Sequence, residues 1–184
     1  MMHTYEASYK QTIIRPLLKK DIELMRIWRN NSILSRYLKP IGKITPEMQL
    51  KWFKNYIIDN NILFFSITNS TDGIVVGSLA IYGISNGIAE IGKIIIGDPL
   101  SHGKGLGYVS LVMAMQIGFE KLCIDYFTLN CHEDNVAALK SYLRAGFTEK
   151  CRHLFIKGGY EIEMSINKYE FQKRNTIIND IHIK

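Results

Sequence analysis

With 184 residues, 47% of them hydrophobic and 22% charged, the chain falls in the range of one globular domain that can bury a sizeable core, and one domain is expected. Its formal net charge of +6 favours anionic partners, but the Lys and Arg are scattered, so a phosphorylated small molecule suits that charge as well as nucleic acid does. Three cysteines, Cys123, Cys131 and Cys151, with no C-x-x-C spacing argue against a disulfide framework or a zinc knuckle and predict reduced, mostly buried thiols.

The opening MMHTYEASYKQTIIRPLLKKD has no long apolar core and no small-residue cleavage site. Nowhere does an uncharged apolar run reach membrane-spanning length, so a cytoplasmic protein without a membrane partner is expected. TIIRPL, residues 12–17, reads as a short strand that Pro16 ends or holds at an edge. Residues 19–31 carry Ile22, Leu24, Met25, Ile27 and Trp28 at mostly helical spacing. A second helix starts at TPEMQLKWF, with Thr45 as N-cap, Pro46 at the first helical position and Glu47 adding early negative charge. ILFFSIT and IVVGSLAIYG are two strands joined through Asp72-Gly73, and SNG turns the chain into IAEIGKIII, which carries Glu90.

Next comes the glycine-rich SHGKGLGYVS, between that strand and the apolar helix YVSLVMAMQIGFEKL. A helix start offers unpaired N–H groups and the positive end of its dipole, and glycines let a ligand approach the backbone, so this loop is a candidate phosphate site. It lacks the P-loop pattern G-x-x-x-x-G-K-[ST]. The dinucleotide fingerprint would need glycine at position 108, which is Tyr108. The strand YFTLNC, a helix from about Asn135 to Ala145 ended by Gly146, and the strands EKCRHLFI and YEIEMSI complete the order β-α-α-β-β-β-α-β-α-β-β. Residues 168–184 lose periodicity and are expected to form a partly mobile tail.

His102, Gly103, Lys104, Gly105, Leu106 and Gly107 resemble the [Q/R]-x-x-G-x-[G/A] loop of the GCN5-related N-acetyltransferases (GNATs). His102 stands where Gln or Arg is usual. The later NVAALKSYLRAGF is similar to that family's second signature at Asn135, Ala138, Tyr142, Gly146 and Phe147. The resemblance spans about residues 11–167 and implies an α/β (α+β) domain, with a mixed sheet of about seven strands flanked by about four helices. It also implies acetyl-CoA as cosubstrate, with its pyrophosphate on residues 102–107 and Tyr108, and with Asn135 and Tyr142 also at the cofactor. The pantetheine arm would lie against Ile94, Ile95 and Ile96, where a backbone N–H would meet the thioester oxygen.

Acetyl transfer to an amine needs a neutral nitrogen, a polarised carbonyl and a proton for the departing thiolate. Strand alternation predicts Glu90 on the same face as Ile94 and Ile96, partly desolvated and so raised in pKa: a base, or else a charged group paired with Lys93. Tyr142 is either a core aromatic or, as the resemblance implies, the acid that protonates the thiolate. Asn135 is either a plain N-cap, competing with Asp134, or also a cofactor contact. No metal is expected: Cys131, His132, Glu133 and Asp134 are adjacent and read as a solvated loop, and His3 and His153 lack ligand spacing. Trp52, Phe53 and Tyr56 are expected in the core.

For the acceptor, WRNNSILSRYL followed by EMQLKWFKNY resembles the branch that acetylates nucleotide-linked amino sugars, and an anionic acceptor suits the +6 charge. The same W-R-N opening occurs in the ribosomal-protein N-terminal and polyamine branches. A non-catalytic acyl-CoA-binding module is the alternative of another class. No nucleic-acid motif is present, and a homodimer is allowed.

Overall fold

In the computed structural model, which describes residues 3–184, Met1 and Met2 of the polar start lie outside the described residues. The chain runs β1 (Ala7–Tyr9), β2 (Thr12–Pro16), α1 (Ile22–Asn30), α2 (Pro46–Tyr56), β3 (Ile62–Asn69), β4 (Val75–Ser85), β5 (Ile88–Ile96) and α3 (Leu106–Lys121). It continues through β6 (Tyr126–His132), α4 (Val136–Ala145), β7 (Thr148–Leu154), β8 (Tyr160–Asn167), α5 (Lys168–Arg174) and β9 (His182–Ile183). The strands make one sheet in the order β7-β8-β6-β5-β4-β3-β2-β1-β9, and only the β5–β6 pair is parallel. The α/β class and the mixed sheet agree with expectation.

Among the described residues, nine strands replace the expected seven and five helices the expected four. β1 hides in the polar start because it has three residues, turned onto β2 through Lys10 at φ 52°. Residues 168–184, expected as a tail, fold as part of the domain. Asn167 caps α5 by accepting from the Glu170 N–H at 2.8 Å, Phe171 is buried in the main core, and β9 pairs with β1. Asn175, itself buried, donates to the carbonyls of Ala145 and Phe171 and accepts from the Tyr108 hydroxyl at 3.1 Å. Periodicity misses this segment because it docks through single residues rather than an apolar stripe.

Two layers of helix cover the sheet. On one face α3, α4 and α5 pack with Leu79, Ile81, Ile91, Phe127, Leu129, Ile162 and Met164 into the larger core; on the other α1 and α2 cover Leu17, Phe64 and Ala80. The expected Thr45 cap is present, accepting from the Met48 N–H, and Trp52, Phe53 and Tyr56 join the smaller core as expected. At the base of α1, Asp21 is buried yet satisfied: Arg15 meets it with two bonds of 2.7 and 3.1 Å, and Leu18 N–H and the Ser66 hydroxyl complete its shell. Burial alone would push the Asp21 carboxyl up; the bonds from Arg15, Leu18 and Ser66 outweigh it and hold it below the usual value.

Candidate active site

Alternation in β5 is broken by a bulge. Ala80 pairs with Gly92 and Ser78 with Ile95, so β5 carries one extra residue, Lys93, whose φ is 54°. Ala89 and Ile91 therefore face the larger core before the bulge, and Ile94 and Ile96 face it afterwards. Glu90 lies on the opposite face from Ile94 and Ile96, which corrects the sequence expectation; it shares its face with Ile95 and Tyr82. There it accepts a very short hydrogen bond from the Tyr82 hydroxyl. Burial, then the neighbouring Glu90 carboxylate, pushes the Tyr82 phenol far above its ordinary range, so it stays a donor.

Beyond Glu90 the sheet opens. β5 and β6 pair only at Ile88–Tyr126, Ala89–Phe127 and Glu90–Thr128, although β5 runs on to Ile96 and β6 to His132. Two backbone edges thus face a gap, and unpaired strand edges there can hydrogen-bond an extended ligand. Tyr142 of α4 borders this region. Its hydroxyl feels Cys131 on β6, burial dominates its environment, and the phenol is raised well above its normal value. Burial likewise pushes the Cys131 thiol up to about 12, with Glu161 adding to the effect.

The glycine loop follows at the end of β5. Asp98 accepts from Leu100 N–H and the Ser101 hydroxyl, fixing a 3-10 turn at Pro99–Ser101. Gly103 and Gly105 take φ of 74° and 76°, and Gly105 starts α3 without any side-chain cap. A Cβ at Gly103, Gly105 or Gly107 would meet no atom within 4 Å, so the space over the helix start is open. The resulting cradle of unpaired N–H groups at a helix N-terminus suits a phosphate. Lys104 is exposed beside it.

Three of the expected cofactor residues have side-chain partners within the protein. The Nε2 of His102 bonds the Ile96 carbonyl at 2.8 Å, so the ring ties the loop to β5, and the neutral tautomer has no N–H left for a phosphate. Tyr108 buries its ring under the Arg144 guanidinium and donates its hydroxyl to Asn175, which leaves only its backbone N–H at the cradle. Asn135 caps α4, accepting from Ala138 N–H at 3.4 Å, in preference to Asp134. Leu106 packs against the larger core.

The W-R-N triplet is structural. Trp28 packs on Gly97, where any Cβ would fall within 2.3 Å of its ring. Arg29 donates to Lys39 O, and Asn30 pairs with Ile44 through two 2.8 Å bonds. Together they fix residues 31–45, and that segment reaches across to β6 and the β7–β8 hairpin: the Tyr37 hydroxyl donates to Asp134 O, and Lys157 donates to Arg36 O. Under it, Cys131 and His132 are buried rather than a solvated loop, His132 stacking on Tyr37 at 5.2 Å. Cys123 and Cys151 are exposed, against the expected burial.

Sequence reasoning missed a cleft of about 370 Å³ between Arg29, Lys39, Lys43 and Lys157, which also holds Ser32, Ser35 and Pro40 and is lined by no carboxylate. Two of its cations, Arg29 and Lys39, act on the same Lys93 ammonium as Glu90 does. Lys39 lies 4.0 Å from Glu161, and Lys93 stands 4.4 Å over the Tyr82 ring. Burial first, then Arg29 and Lys39, lower the Lys93 ammonium against the pull of Glu90. These cations are scattered in sequence, and only the 31–45 loop gathers them.

A family model described as an Acetyltransferase (GNAT) domain matches residues 11–148. This chain belongs to the GNAT family. Among curated proteins, an N-acetyltransferase 9-like protein of Nematostella vectensis is 30% identical over 95 residues, which is 52% of this chain and 46% of that protein, so the match spans less than half of the relative. Among solved structures, spermidine N-acetyltransferase of Vibrio cholerae in complex with CoA and spermine superposes with a TM-score of 0.81 at 21% identity, over 89% of this chain and 99% of that one. An apo nucleotide-linked sugar GNAT gives a TM-score of 0.75 at 17% identity, over 94% of each chain. These likenesses show that this chain shares their fold. No helix among the described residues is long and apolar enough to cross a membrane.

Proposed function

We propose that this chain moves the acetyl group of acetyl-CoA directly to a primary amine carried on an anionic molecule, with a nucleotide-linked amino sugar as the best-fitting acceptor. The observation that carries the reading is the parting of β5 and β6 beside an uncapped helix start, with Glu90 and Tyr142 at its borders. The loop N–H groups of Gly103 to Tyr108 would take the pyrophosphate. The free edge at Ile94–Ile96 would hydrogen-bond the pantetheine arm and the thioester oxygen. Glu90, held by Tyr82, would accept the proton of the attacking ammonium, directly or through water. Tyr142 would donate a hydrogen bond to the departing thiolate. A phenol raised by burial is a weaker acid than a thiol of ordinary pKa about 8.5, so this donor stabilises the thiolate more than it protonates it.

The cleft supports the acceptor class. Four cations and no carboxylate line it; a diphosphate there would offset their mutual repulsion, whereas a polyamine would add to it. The spermine in the Vibrio cholerae neighbour makes the polyamine the competitor to test. Thiol release from acetyl-CoA should be followed with a nucleotide-linked amino sugar, its free sugar, spermidine and a peptide with a free N-terminus. The nucleotide sugar should have the highest kcat/KM, and loss of the nucleotide should lower it at least about tenfold because remote binding positions the amine. Preference for spermidine or the peptide would overturn the acceptor class. No release with any amine despite acetyl-CoA binding would leave an acyl-CoA-binding module.

A further inference from the structure

The β7–β8 hairpin brings together three side chains that the acetyl-transfer chemistry does not use. Cys151 and His153 are two apart on β7 and so project from one face, and Cys151 pairs directly with Glu163 on β8. Their donor atoms converge. The Cys151 sulfur is 3.2 Å from His153 Nε2 and 3.4 Å from Glu163 Oε2, and His153 Nε2 is 3.5 Å from Glu163 Oε2. Bond lengths of zinc to thiolate, imidazole and carboxylate, set at tetrahedral angles, place such ligand atoms about 3.4–3.6 Å apart. The three contacts therefore outline nearly one face of a zinc tetrahedron before any ion is present.

We infer that Cys151, His153 and Glu163 form a binding site for one zinc-class divalent cation, with its fourth position open to solvent. The ligand set selects the ion: sulfur, imidazole nitrogen and a single carboxylate oxygen suit zinc or cobalt, whereas calcium and magnesium take oxygen shells. Charge favours it as well, since Glu149 adds negative potential at Cys151 and Arg152 turns away to Glu149 and Glu133. On binding, the Cys151 sulfur forms the bond to the metal and releases its proton to solvent. The sequence conceals the site because an i, i+2 pair ten residues before a glutamate matches no zinc pattern until the hairpin closes. Ile162 and Met164 face the larger core, so Glu163 projects on the same sheet face as Glu90, two strands away in the order β5-β6-β8. The site is independent of the acetyl-transfer reading.

Cobalt(II) tests it without reference to activity. Reduced, chelator-treated protein titrated with Co²⁺ should show a near-ultraviolet thiolate-to-cobalt band and visible bands of tetrahedral intensity, saturating at one ion per chain and bleached by Zn²⁺. Cys151→Ser should abolish the thiolate band and Cys123→Ser should keep it. His153→Asn and Glu163→Gln should each weaken Co²⁺ binding more than about tenfold, since even partners one bond further out have effects of that size. All three positions are partly or fully exposed, so the variants should melt as the parent does. A trio held by hydrogen bonds alone would give no thiolate band, and that result would overturn the site. So would a band that survives Cys151→Ser, or affinity unchanged in both other variants.

Discussion

Glu90 and Tyr142 border the same opening but occupy unlike surroundings, and their substitutions should separate. Glu90→Gln keeps the bond from Tyr82 while removing the proposed base, so kcat should fall about 100-fold or more with acetyl-CoA affinity unchanged. Activity should recover as pH rises and the amine loses its proton unaided; steady-state pH profiles of the two proteins check this. Tyr142→Phe removes the proposed donor to the thiolate and should lower kcat about tenfold or more, again sparing cofactor affinity in calorimetry. Away from the site, Asp21 couples stability to pH. Its folded pKa is lowered, so its contribution is complete above the unfolded value of about 3.9 and fades as pH falls through the lower folded value. Asp21→Asn should destabilise by about 3 kcal/mol near neutrality, by stranding Arg15. The gap in Tm between variant and parent should narrow below about pH 4, and thermal melts across pH 3–7 would measure it.

At the scale of elements, the proposed phosphate cradle depends on the missing side chains at the start of α3. Gly107 is helical, and a Cβ there would meet only open space, so Gly107→Ala should fold and slightly stabilise the free protein, by up to about 1 kcal/mol. The same methyl group would stand where the phosphate approaches. The rise in Tm caused by acetyl-CoA should therefore shrink in Gly107→Ala even as the ligand-free Tm holds or climbs, a pair of thermal melts being sufficient. This loop and α4 were legible in sequence because each is local, set by glycines at every second position or by helical spacing. Facing across the sheet was not. Counting back from Ser85–Ile88 in an unbroken ladder sets Tyr82 opposite Ile91. In fact a bulge at Gly83, φ 62°, brings it opposite Glu90, and a second bulge at Lys93 reverses the faces beyond. Bulges arise from how two strands settle together, so alternation in one strand cannot reveal them. The cationic cleft was hidden for a related reason, since its residues meet only through a loop pinned by Asn30.

Across the whole molecule, the last seventeen residues close the structure rather than trail from it. Phe171 fills the larger core against Phe119, ring centres 5.0 Å apart, and Asn175 joins α3 to α4 through Tyr108 and Ala145 O. Phe171→Ala should cost about 3–5 kcal/mol in denaturant unfolding, a loss that a detached tail would not produce. The central claim is that the opening between β5 and β6, together with the start of α3, receives acetyl-CoA. Amide hydrogen exchange with and without saturating acetyl-CoA tests it most directly, because protection reports which backbone groups the ligand covers. New protection should fall on residues 91–96 and 102–108, with the β1–β9 edge unchanged. Protection confined to the cleft at residues 39–43, or absent from both predicted segments while acetyl-CoA binds, would contradict the account.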